Sequence, residues 1–69
     1  EEIYHGVVKW YNPIKRFGFI APNDEGADIF VHYTGIVNSE DLKENDHVSY
    51  FIEKRKNGPM AVNVEKIDP

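Results

Sequence analysis

Two short runs, Lys15-Arg16-Phe17-Gly18-Phe19-Ile20 and Ile29-Phe30-Val31-His32-Tyr33, each set flat side chains two residues apart. A strand sends alternate side chains to opposite faces, so Phe17 lies with Phe19, and Phe30 with His32. The second run fixes which face is which. One side carries Asp28, Phe30 and His32; the other carries Ile29, Val31 and Tyr33. Ile29 and Val31 make the natural core face, which turns Phe30 outward beside an acid and a histidine. In the first run Ile20 is the matching inward residue. Gly18, with no side chain, suits a close backbone approach in a tightly curved sheet. The outward face then holds Lys15, Phe17, Phe19, Phe30 and His32.

The rest of the chain repeats this kind of element. Tyr4 to Tyr11 is β-prone and is stopped by Asn12-Pro13. Phe17 to Ala21 ends at Pro22, and Asn23-Asp24-Glu25-Gly26 is a polar turn cluster. Asp28 to Tyr33 is the third strand. Residues 34 to 46 form a longer connection in which Thr34 is placed to cap a single helical turn. His47 to Glu53 is the fourth strand, with Val48, Tyr50 and Ile52 in phase and Phe51 on the polar side. Asn57-Gly58 gives the turn of a basic hairpin loop, Lys54 to Pro59. Met60 to Ile67 is the fifth strand, with Val62 and Val64 in phase. Five short strands separated by turn signals predict an all-β sandwich or barrel. A barrel is favoured because closure removes exposed edges.

At 69 residues the chain is expected to be one domain, residues 1–69, with a thin core. Seven of its nine aromatic residues precede Thr34, which sets the N-terminal half apart. Cysteine is absent, which excludes disulfide staples and thiolate metal sites. No apolar run approaches the roughly 20 residues of a membrane helix, and no signal-peptide pattern occurs. The expected location is the cytoplasm. The chain starts at Glu1 rather than Met, so it is expected to be trimmed or part of something longer.

The formal charge of −4 speaks against a generic nucleic-acid binder. The charges are unevenly spread, however. Residues 3 to 20 hold Lys9, Lys15 and Arg16 and no acid. The acids sit at Glu1-Glu2, Asp24-Glu25, Asp28 and from Glu40 to Asp46, the last a solvated loop that favours solubility. Fields fade over about 8 Å at physiological salt, so the local patch outweighs the sum. A lone strand Phe is normally core. A group of outward rings marks an interaction site instead.

Rings interleaved with cations suit unstacked bases, each stack being worth about 1–3 kcal/mol. Lys9 and Lys15 are placed to meet phosphates. Stacking supplies affinity without a basic protein, and few phosphate contacts imply a shallow salt dependence, near −0.7 per phosphate for single strands. The expected ligand is therefore single-stranded RNA or DNA. The competing reading is a protein-interaction barrel that takes proline-rich peptides.

These residues resemble the cold shock domain, a five-stranded antiparallel OB-type barrel of bacterial cold shock proteins and animal Y-box proteins. Gly6-Val7-Val8-Lys9-Trp10-Tyr11-Asn12 is similar to its opening strand. Lys15 to Ile20 and Ile29 to Tyr33 are similar to its two ribonucleoprotein motifs, and Asn57-Gly58-Pro59 with Ala61 to Val64 to its last hairpin. The resemblance implies single-stranded, often pyrimidine-rich, nucleic acid as partner. It also implies roles as an RNA chaperone, in transcription or translation, and in stress response. It makes Trp10, Phe17, Phe19, Phe30, His32 and Tyr33 stacking residues, with Lys9 and Lys15 on backbone or base edges and Asp28 on a base. Simple alternation of the strands would instead put Trp10 and Tyr33 on the core side. Arg16 stands where the family mostly has Gly. Asn57 replaces a basic residue of some relatives. The connection after Tyr33 is slightly shorter and lacks the further aromatic of the common bacterial form.

No other chemistry is indicated. His5, His32 and His47 match no metal-ligand spacing. Asp28 and His32, four apart on a strand, stand roughly 13 Å from one another, too far for a catalytic dyad. The chain is expected to be a monomeric binding module with no cofactor, no metal and no enzymatic activity.

Overall fold

A computed structural model describes residues 2–39 and 41–67. Glu1, Glu40 and Asp68, acids counted in the charge argument, lie outside the described residues. Five strands form: β1 (Tyr4–Asn12), β2 (Phe17–Pro22), β3 (Ile29–His32), β4 (His47–Arg55) and β5 (Gly58–Lys66). They close into a barrel in the order β1-β2-β3-β5-β4. The expected five-stranded barrel is therefore present. Four of its pairings are antiparallel and the closing one, β3 with β5, is parallel. An odd number of strands requires this. Directions cannot alternate all the way round a ring of five, so one neighbouring pair must run the same way.

The core follows the alternation of each strand. Val8, Ile20, Val31, Val48, Tyr50, Ala61 and Val64 are all but sealed from solvent, and Ile29 is also buried. Ile36 and Leu42, from the long connection, complete the core. That connection makes two 3-10 turns, Tyr33–Gly35 and Val37–Ser39. The first is capped by His32, not Thr34: Nδ1 of His32 accepts from the Thr34 N–H, and Thr34 Oγ1 lies 2.9 Å from the same nitrogen. The third strand accordingly ends one residue early, and Tyr33 leaves the sheet.

Two irregularities re-aim side chains. Along β1 the register steps from Val8↔Ile20 to Trp10↔Phe19, so Lys9 is an extra residue in the ladder. Such a bulge bends the strand and shifts its alternation. Val8 stays inside while Trp10, two residues on, points out with 39% of its surface exposed. Along β5 the register steps from Ser49↔Glu65 to Phe51↔Val62, so β5 advances three residues while β4 advances two. Asn63, at φ 51°, takes the extra step. Its left-handed backbone is one that Asn tolerates better than most residues. The buried pair on β5 is therefore Ala61 and Val64, three apart, and the expected phase of Val62 with Val64 is corrected: Val62 faces out, half-buried.

The β4–β5 hairpin is tighter than the Lys54–Pro59 loop read from sequence. Arg55 pairs with Gly58, leaving Lys56 and Asn57 at the tip. Gly58 takes φ 118°, which only glycine adopts without strain. Gly18 has the close approach expected of it. A Cβ there would lie 2.8 Å from the Tyr11 Cα and closer still to the Trp10 carbonyl oxygen.

Candidate nucleic-acid interface

The strands bring the predicted rings together. Phe19 pairs with Phe30 and Phe17 with His32 across β2 and β3, and the β1 bulge brings Trp10 opposite Phe19. The ring centroids form one connected set. Trp10 lies 5.8 Å from Phe17 and 5.5 Å from Phe19, and Phe30 lies 5.9 Å and 5.8 Å from the same two. His32 is 6.4 Å from Phe30 and 4.8 Å from Tyr33. All adjacent rings are tilted or edge-on. Each ring packs on its neighbours through an edge, as aromatic quadrupoles favour. The phenylalanines and His32 are half-buried, and Trp10 and Tyr33 are the most exposed of the set.

Charge frames the rings. Lys9 Nζ sits 2.9 Å from Asp28 Oδ2, both side chains being well exposed. Lys15 is exposed and has no ion pair among the described residues; its N–H and that of Ile14 donate to Asn12 Oδ1, which shapes the β1–β2 turn. Arg16 ends that turn at φ 63°, and its guanidinium lies over the Tyr33 ring at 5.1 Å. The positive φ gives a physical reason why glycine suits this position. Arg16 also fixes the end of β3, since its carbonyl accepts the Tyr33 N–H at 3.0 Å.

All nine predicted site residues thus lie on one side of the barrel or at its rim. The structure adds residues that sequence reasoning did not place there. A pocket of about 500 Å³ opens beside Phe19 and Phe30, lined also by Met60, Arg55, Asn57 and the Gly58-Pro59 segment. Met60 enters because the parallel β3–β5 pairing sets it opposite Phe30. That pairing is long-range and leaves no local signal. Arg55 is ion-paired with Glu53. No group of His, Cys, Asp or Glu among the described residues is arranged to hold a metal ion.

The comparison with known sequences decides the family. The 'Cold-shock' DNA-binding domain matches residues 4–67.

The chain belongs to the cold shock domain family.

It is 49% identical over 61 residues to cold shock-like protein CspJ of Salmonella typhimurium, covering 86% of this chain and 87% of that one. Cold shock-like protein CspG of Escherichia coli matches to the same extent. The probable cold shock protein A of Mycolicibacterium smegmatis is 48% identical over 64 residues, covering 90% and 96%. Among solved structures, Drosophila Unr CSD456 superposes with a TM-score of 0.83 over the whole of this chain at 21% identity, and the match spans 28% of that longer chain. The fold is therefore that of a cold shock barrel. The family is one of nucleic-acid-binding proteins that act on single strands, not of enzymes. Among the described residues no helix is long and apolar enough to cross a membrane.

Proposed function

We propose that this cold shock domain binds single-stranded RNA or DNA by stacking successive bases on Trp10, Phe17, Phe19, Phe30, His32 and Tyr33. The observation that carries the reading is the unbroken outward set of six rings, with neighbouring centroids no more than 6.4 Å apart. An aromatic track in a protein of net charge −4 fits a ligand held by its base faces more than by its phosphates. Lys15 meets the backbone. Lys9 and Asp28 exchange their mutual contact for backbone and base-edge contacts. Pyrimidine-rich strands are the favoured ligands, being the least self-stacked. Residues 1–69 act as one monomeric unit in the cytoplasm, keeping RNA single-stranded as a chaperone or regulator of transcription or translation.

The test is Trp10 fluorescence during titration with oligothymidine, oligoadenosine and a proline-rich peptide. Strong quenching by oligothymidine, weaker quenching by oligoadenosine and none by the peptide is the expected result. Quenching by the peptide alone would overturn the reading in favour of a protein-interaction barrel.

A further inference from the structure

The ring track does not stop at β3. Barrel closure carries its rows of outward side chains on to β5 and β4. The row Trp10, Phe19, Phe30 continues to Met60, which pairs with Phe30, and then to Glu53, which pairs with Met60. The row Phe17, His32 continues in the same parallel register towards Val62, which pairs with Phe51. On β4 the flanking Tyr50 is buried and Ile52 packs against the core, so Phe51 faces out; on β5 the same holds for Val62 beside the buried Ala61. Phe51 is half-buried like Phe17, Phe19 and Phe30, and no ring among the described residues pairs with it. An outward Phe on a strand face that abuts a stacking surface is otherwise unexplained by packing.

We infer that the strand-binding surface extends past Phe30 and His32, over Met60 and Val62, to a further base-stacking position at Phe51. The inference rests on the proposed single-strand binding. Its occupant is the next nucleotide of the same strand, because the patch continues the ring face without a break in sheet register. Met60 is a flexible, polarizable bridge able to lie against a base. Arg55 offers a cation at the edge of the same pocket. Glu53, the outward acid next along β4, is already paired with Arg55.

The experiment measures Trp10 quenching by oligothymidines of graded length with the wild-type chain, Phe51→Leu and Phe51→Tyr. Leu keeps apolar cover on the strand but no π-face; Tyr restores the ring. The wild type and Phe51→Tyr are expected to gain affinity as the oligomer grows beyond the length that fills the β1–β3 rings. Phe51→Leu is expected to lose about tenfold on the long oligomers, the contribution of one stacked base, and nothing on the short ones. Equal affinities of wild type and Phe51→Leu at every length would overturn the extension while leaving the main face intact. An equal loss on short and long oligomers would also overturn it, by showing an indirect effect on the barrel. Wild-type association through this face, detected as a dimer in sedimentation that Phe51→Leu abolishes, would give the patch to a second copy and overturn it likewise. Absence of quenching by any oligomer would remove the single-strand reading itself.

Discussion

Lys9 Nζ and Asp28 Oδ2 stand 2.9 Å apart at the edge of the ring face, so two groups suited to touching nucleic acid hold each other in the free protein. The pair is exposed, and exposed pairs are worth about 0–1 kcal/mol, so a ligand opens it at little cost. Asp28→Asn keeps an acceptor for a base edge but releases Lys9 to the phosphates. Affinity at low salt is expected to rise by up to about 1 kcal/mol. The slope of log affinity against log salt steepens by about 0.7, one additional phosphate contact. Titrations at three or more salt concentrations measure both; an unchanged slope would show that Lys9 does not reach the backbone.

Phe30 sits at the centre of the patch, in contact range of Phe17, Phe19 and His32. Phe30→Ala removes one stacking platform and is expected to weaken oligothymidine binding by about 1–3 kcal/mol. It also breaks three ring contacts, each worth about 0.5–1.5 kcal/mol, so the melting temperature falls too. Phe30→Leu separates the two effects: it retains most of the apolar cover and should lose binding with a smaller stability change. Fluorescence titration and thermal melting on both variants supply the comparison.

The two ring motifs and the β3 register were legible because they are local. Alternation over Ile29, Phe30, Val31 and His32 needs no knowledge of partners. What alternation could not show was where it breaks. Lys9 and Asn63 look like ordinary strand residues in the sequence, yet each marks a bulge, and the bulges decide that Trp10 and Val62 face out. A bulge depends on the partner strand, so a single strand read by itself does not display it. The end of β3 was missed for a similar reason, since His32 caps the next turn through its own ring nitrogen. Met60 joined the site only through the parallel closure of a five-strand ring.

Arg16 is a further point where chain and fold pull in different directions. It holds φ 63°, a region that costs an L-residue roughly 1–2 kcal/mol, and recovers part of this through its guanidinium on Tyr33, about 0.5–1 kcal/mol at an exposed site. Arg16→Ala keeps the backbone cost and loses the ring contact. Arg16→Gly loses the contact but relieves the backbone. Glycine is therefore expected to be more stable than alanine here by about 1 kcal/mol, the reverse of their usual order, and close to the wild type. Urea melts of the three proteins test this, and alanine matching or exceeding glycine would contradict the backbone argument.

Tyr50 carries a buried hydroxyl with no hydrogen-bond partner, inside a core that is otherwise apolar. Burial raises its pKa above the ordinary 10.0, with the charges of Asp24 and then Tyr4 adding to the effect. Tyr11, whose hydroxyl is also orphaned, is raised in the same direction, mainly by burial and secondarily by Asp41, against an opposing contribution from Arg16. Below pH 10 folded and unfolded chains both keep these protons, and the stability is fully present. As pH rises past 10 the unfolded chain releases them while the folded chain retains them, so the unfolded state gains and stability falls. Tyr50→Phe removes the orphan and its titration together. An unsatisfied buried hydroxyl costs about 1–3 kcal/mol, so the variant should be more stable than the wild type near neutrality by about 1 kcal/mol, allowing for the lost volume. Its stability should also decline less between pH 9 and pH 11. Denaturant melts across that range decide the matter: parallel declines for the two proteins would mean that Tyr50 is not among the groups that drive alkaline unfolding.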